Sequence, residues 1–409
     1  MTKNLKFIVL TLLFILSFIA GCNWYYLENR NTQLSSTNHG STTINIANRD
    51  FHAYHPKSYK LEYLNPNLKV PRIIHFYGDR LFIGSKSGFV YWMDPPYEKT
   101  NSIAKLSNYP HSIVIRDGQI YVAQTDGIYR ANYDANENWI AEDEFKRYIS
   151  LPGGPGHNTR TLKLGPDNKL YVALGIRGNC SDEYLDNSYP FDLRRGGIFL
   201  IDETDTQPKL VPFAAGLRNP VGFDWHPITK EIYASNNGPD HSGFELPPEY
   251  FSKVTENSFH GMPWYQYDGV KLRRDYCVTS IPPKPIESVV TPEVTFPARN
   301  APMDVAFVPS HGKAKELIDN AIVALHGSWA TDDDGSANGN LASRRPPKLV
   351  VVEFENGKAI NVSDLLTGLQ SKNSGSRWIR PIGIAIGPDG EIYFTSDAGA
   401  QGLYRLKKL

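Results

Sequence analysis

The 409-residue chain has no surplus of either charge, since 43 Lys and Arg stand against 43 Asp and Glu. That balance removes the electrostatic footprint of a nucleic-acid binder or of a protein held to an anionic membrane surface, and leaves a small or neutral partner. Cysteine is nearly missing: Cys22, Cys180 and Cys277 are the only three, too few for a disulfide framework. The apolar run Phe7 to Ala20 falls short of the roughly 20 residues needed to span a bilayer. No long segment carries a helical period, which excludes a helical bundle.

The short apolar run follows Lys3 and Lys6 and stops at Ile19-Ala20-Gly21-Cys22. This is the pattern of a lipoprotein signal peptide over 1–21, with cleavage before a lipidated Cys22. An uncleaved anchor is the alternative, and either places the remainder outside the cytoplasm, membrane-anchored, periplasmic or at the cell surface. In such an oxidising compartment Cys180 and Cys277 are able to pair, but their separation in space is not readable from sequence. Residues 22–58 are rich in Asn, Ser and Thr with little apolar periodicity, and are expected to form a flexible tether ahead of a domain over 59–409.

That domain is rich in aromatics and turn formers, with 23 Tyr, 19 Phe, 33 Gly and 29 Pro, a strand-and-turn composition. One unit recurs: two alternating strands about a tight polar turn. It begins at Arg72, His111, Arg160, Val221 and Ile382, and in a degraded copy with a longer insert at Met303. Asp117-Gly118 and Asp389-Gly390 suit the positive φ angles of two-residue hairpins, and the alternation gives each strand a buried face. Six copies at about 56 residues each match propeller blades with inserted loops. The expected fold is therefore all-β, a six-bladed β-propeller; a sandwich or barrel is the alternative. The longest insertions, at 174–196, 236–300 and 326–347, are where function is expected.

Two stretches, the turn before the third repeat and the fourth repeat with its insertion, carry chemistry. In Gly153-Gly-Pro-Gly-His157-Asn-Thr-Arg160 a single His sits among glycines at a strand entry, able as a neutral imidazole to act as a general base, or else simply structural. In Gly216-Leu-Arg218-Asn219-Pro-Val-Gly222 and Asn237-Gly238-Pro239-Asp240 an Arg fork, an amide, backbone carbonyls and a carboxylate come together. Carbonyls beside carboxylates are what calcium selects. The plain alternative is a polar turn whose Arg satisfies loop carbonyls.

These motifs, with Phe259-His-Gly-Met-Pro-Trp264, Leu246-Pro-Pro-Glu249, Leu325-His326-Gly-Ser-Trp329 and Arg380-Pro-Ile-Gly-Ile-Ala-Ile-Gly-Pro-Asp-Gly390, resemble the soluble quinoprotein sugar dehydrogenases, and more closely the sorbosone dehydrogenase-like branch. The likeness covers about residues 70–408. It implies an oxidoreductase holding pyrroloquinoline quinone (PQQ) over the central channel with Ca2+. His157 would take the proton of a sugar-like substrate's hydroxyl as hydride passes to the quinone. Arg218, Asn219, Arg380, His326 and Trp329 would contact the cofactor, and Gly238, Pro239 and Asp240 would hold the calcium. Electrons would go to an acceptor the sequence does not identify.

The chain departs from that pattern at several positions. Ile176 and Gly156 stand where glucose-oxidising members carry acidic residues, one of which helps orient the base, so glucose is a doubtful substrate. Phe244 replaces an Asp common in the sorbosone-like loop, which puts a second, structural calcium in question. The segment Thr331–Arg345 is an insertion, leaving the roles of Arg344 and Arg345 open. Two further alternatives are a non-catalytic propeller lipoprotein that binds carbohydrate or protein, and a calcium-dependent lactonase-type propeller.

Overall fold

The computed structural model describes residues 39–409 apart from 47, 137, 331, 333–335 and 337–338; the leader 1–21 and Cys22 lie outside them. Each of the six repeated hairpins forms the inner two strands of a separate sheet, antiparallel throughout except where Ser258–Phe259 adds a short parallel strand to the outer edge of the third. The turns behave as their residues demand: Asp117 and Gly118 both take positive φ, 52° and 67°, joining Ser112–Arg116 to Gln119–Gln124. Blade 1 runs from Pro71 to Lys105, blade 2 from Ser112 to Ser150, blade 3 from Arg160 to Ala215, blade 4 from Phe223 to Phe296 and blade 5 from Pro302 to Leu366. Blade 6 contributes only Ile379–Ile386, Ile392–Gly399 and Gly402–Lys408 from the C-terminal end. Its fourth strand is Tyr59–Asn65, paired antiparallel with the last strand (Leu61 opposite Leu406). The ring is thereby closed by hydrogen bonds between the two ends of the domain.

Neighbouring blades are tied at the channel. Ser112 donates to the Arg160 carbonyl (2.7 Å), Thr161 to that of Val221, Ser235 to that of Met303 (2.7 Å) and Thr395 to that of Arg72 (2.7 Å). The Asp304 carboxylate accepts from the Ile384 amide (3.1 Å), and the Ile73 amide reaches the His111 carbonyl (3.4 Å). These satisfy buried backbone groups that a flat sheet edge would leave open. Between the blades lie aliphatic and aromatic layers, such as Val114, Leu162, Val172 and Phe199, all essentially inaccessible.

One expectation fails here. Residues 39–58, expected as part of a tether, include a hairpin of His39–Ile46 and Arg49–Pro56 packed on the propeller. Phe51 stacks on Trp378 at 5.0 Å, Tyr54 exchanges two backbone bonds with Thr367 (3.0 and 2.9 Å), and Ala53 and Ile44 are buried. The polar residues disguised it: Ser41, Thr43, Asn45 and His52 face outward, but the inner side mixes Ile44 and Ala53 with the polar pair Thr42 and His55, a weak period-two signal. Cys180 and Cys277, left open from sequence, form a disulfide.

Candidate functional site

The inserted loops gather over one end of the channel around a cavity of about 510 Å³. The ring of His157 is fixed at its wall by a backbone carbonyl. Its Nδ1 lies 2.6 Å from the Ile176 carbonyl, and because a carbonyl only accepts, the ring proton sits on Nδ1 and Nε2 keeps its lone pair. Burial, reinforced by Arg218, pushes its pKa down to about 4, so the imidazole is neutral above that pH. Ile176, which stands where the resemblance places an acidic residue in glucose-oxidising members, thus orients the base through its main chain. The His157 carbonyl accepts from Arg160 (3.0 Å) and Arg195 (2.9 Å), two fully buried guanidinium groups. Gly156 lies at φ 86°, and a Cβ there would fall 1.6 Å from the Arg177 carbonyl oxygen, which explains why no acidic side chain precedes the base.

Arg218 spans the next loop, donating to the Asn179 carbonyl (2.8 Å), to Asn179 Oδ1 (2.9 Å) and to the Asn237 carbonyl (3.3 Å). Beside it Asn219 Oδ1 is buried without a partner among the described residues. Across the cavity His326 Nε2 meets Asp397 Oδ1 at 2.8 Å, and Asp397 Oδ2 takes Arg72 at 2.6 Å. Burial would raise the Asp397 carboxyl, but the His326 hydrogen bond and the charges of Arg72 and Arg380 outweigh it and hold it well below the usual range. Burial pushes His326 down to about 4 against the pull of Asp397. Arg380 donates to the His326 carbonyl (3.1 Å), and Trp329 stands at the mouth, 66% exposed. The cavity wall so carries Arg72, Lys86, Arg218, Arg299 and Arg380 against Asp240, Glu249 and Asp397. That excess of cations is a site for a polyanion.

Among the expected calcium ligands, the Pro239 carbonyl is already engaged. Gly238 gives its amide to Glu249, whose carboxyl burial pushes up to about 7. The Pro239 carbonyl accepts from Arg299, which also stands 3.5 Å from Asp240. A divalent ion on that carbonyl would face the guanidinium at close range, a repulsion of about 4 kcal/mol for each of its two charges at ~4 Å with an effective dielectric of ~20. At Pro239, therefore, a side chain already supplies the positive charge that Ca2+ was expected to bring.

Of the predicted residues, His157, Arg218, Asn219, Gly238, Asp240, His326, Trp329 and Arg380 line one cavity; Pro239 lies behind it on Arg299. Arg345 instead pairs with Glu245 (2.7 Å) and covers the Phe244 ring at 4.0 Å, while Arg344 reaches the Gly375 carbonyl (3.4 Å). Sequence reasoning missed Arg72, Asp397, Arg299 and the role of Glu249. Glu249 sat inside a quoted motif and Arg72 at the entry of the first repeat; Asp397 and Arg299 carry no local signal.

The family model described as TrAA12-like matches residues 55–245 and 284–408. A Borreliella burgdorferi protein described as uncharacterized is 29% identical over 367 residues, 86% of this chain and 89% of that one. Among solved structures, the calcium structure of the Trichoderma reesei carbohydrate-active enzyme of family AA12 aligns with a TM-score of 0.70 at 17% identity, over 93% of this chain and 99% of that one. The holo pyranose dehydrogenase PQQ domain from Coprinopsis cinerea gives 0.66 at 18%, over 87% and 97%. The apo soluble aldose sugar dehydrogenase from Escherichia coli gives 0.61 at 14%, over 86% and 100%. At these identities the structural likeness is one of fold.

Proposed function

Because this chain belongs to the TrAA12-like family, we propose that it is a PQQ-dependent oxidoreductase acting on a sugar or a related alcohol or aldehyde outside the cytoplasm. The observation that carries this reading is His157: a neutral imidazole with Nδ1 fixed and Nε2 unprotonated, in the wall of a cation-rich cavity. PQQ is a flat tricarboxylate, and the cavity suits it in size, in its five cations, and in the Arg72 Nε and Asn219 Oδ1 that are buried without a partner among the described residues. When bound, it supplies a quinone that accepts hydride. Arg72, Arg218 and Arg380 neutralise its carboxylates, and their ties to Asp397, Asn179 and His326 keep those charges in place before it arrives. His157 Nε2 receives the proton of the substrate hydroxyl as the C–H bond is broken. Trp329 at the rim offers an apolar face for a sugar ring.

The structurally similar fungal pyranose dehydrogenase PQQ domain and bacterial aldose sugar dehydrogenase support the same cofactor and substrate class. The leader and Cys22 support export and lipid anchoring. A non-catalytic binder has no use for a base held in this tautomer. The test is to purify the mature chain carrying Cys22→Ser, add PQQ, and follow the quinone absorbance and the reduction of a dye across a sugar panel. Absence of PQQ binding at micromolar concentration would sink the reading.

A further inference from the structure

In the loop between the second and third strands of blade 4, backbone oxygens of the kind that ordinarily bind hard cations are committed to guanidinium groups. The Asn237 carbonyl accepts from Arg218 (3.3 Å). Those of Pro239, Gly243 and Leu246 all accept from Arg299, the last at 2.5 Å. Arg299 is no surface arm: its side chain is 3% exposed and it lines the cavity. Its placement costs backbone strain, since Arg299 and Ala301 take φ values of 69° and 47°, a region unfavourable for residues with a Cβ. Neighbouring bonds hold that conformation in place. The Asn300 carbonyl accepts from the Gly327 amide and the Ala301 carbonyl from the His326 amide, both at 3.0 Å, and the Ala298 carbonyl accepts from Arg345 (3.2 Å). Arg345 in turn lies over the Phe244 ring at 4.0 Å, so a second guanidinium packs against the same loop. Arg299 Nε is buried without a partner among the described residues, a donor left for an acceptor in the cavity.

We infer that Arg299 takes the place of a divalent cation: the fixed positive charge beside the cofactor is a guanidinium built into the chain, and cofactor binding needs no calcium. A guanidinium remains charged at any physiological pH and its fork matches several oxygens at once. It is also preorganised toward negative charge developing on a bound quinone oxygen. The inference rests on the PQQ reading above.

The test is PQQ binding to the mature Cys22→Ser chain, followed by tryptophan fluorescence and calorimetry, in excess EDTA and in millimolar calcium. The expected result is equal affinity in the two media, with less than one calcium per chain in the PQQ complex by elemental analysis. Arg299→Ala is expected to weaken binding in EDTA by about tenfold or more, the scale of a lost charged hydrogen bond, and calcium should restore part of it because the carbonyls are then open. Binding that needs calcium in the unmutated chain overturns the inference and leaves the PQQ reading standing. Absence of binding in both media overturns both. Should Arg299→Ala fail to give a native circular dichroism spectrum, Arg299→Lys, which keeps the charge but not the fork, replaces it; unchanged affinity in EDTA for a folded Ala variant also overturns the inference.

Discussion

Asp397→Asn is the perturbation that most directly tests how the cation-rich cavity is held together. The Asp397 carboxylate, 8% exposed, closes on Arg72 at 2.6 Å and His326 at 2.8 Å, with Arg380 nearby. Asn keeps the shape and one acceptor but removes the charge, leaving two guanidinium groups uncompensated. Breaking one side of a buried pair costs about 3 kcal/mol or more. With an unfolding entropy of about 2 cal/mol/K per residue over about 350 residues, that is about 4 °C in Tm. The pH dependence has a definite sign. The folded-state pKa of Asp397 lies below its ordinary value, so its contribution is complete above the unfolded pKa of about 4 and is lost as pH falls toward the folded one. Thermal melts of the two proteins should therefore differ by about 4 °C at neutral pH, begin to draw together below about pH 4 and meet only as pH nears the depressed folded-state value. Equal melting at neutral pH, or a gap that widens as pH falls below about 4, would refute the account of Asp397 as the counter-charge of this cavity.

His157→Ala should retain PQQ affinity and lose about 100-fold or more in turnover, measured as dye reduction; unchanged turnover would move the base elsewhere. With the His157 pKa near 4, and because only the unprotonated ring accepts a proton, kcat/KM should be flat from neutral pH downward and fall only as pH drops through about 4 to 5. An acid limb centred between 6 and 7 would contradict the buried, neutral ring. Gly175→Ala places a Cβ 2.4 Å from Asn219 Oδ1 and 2.6 Å from His157 Cβ; displacing both should lower turnover by about 100-fold while the protein still folds, checked by kinetics beside a melting curve. Reducing Cys180–Cys277, which spans 97 residues, should cost about 2 to 5 kcal/mol of stability. An identical Tm with and without reductant would show that the bond contributes nothing.

The six blades were legible because each repeat announces itself locally: an Asp-Gly or similar turn between two alternating strands needs no distant partner to be recognised. His157, Arg218 and Asn219 were legible for a related reason, since each lies in a short motif at a strand entry and those strand ends face one mouth. The hairpin at 39–56 was not, because its few apolar residues become a core only against Trp378 and Thr367.

Sequence by itself thus determined the architecture, the repeat boundaries and the chemical types around the mouth. Tertiary structure decided which of them meet. Closing a ring brings the first blade against the last, so Arg72 finds Asp397 across 325 positions of chain, a pairing no local pattern encodes. It also carries the blade 5 entrance over the blade 4 loop, and Arg299 arrives on carbonyls that sequence assigned to a metal. Local periodicity is written residue by residue, whereas the balance of buried charge depends on which segments the closed ring forces together.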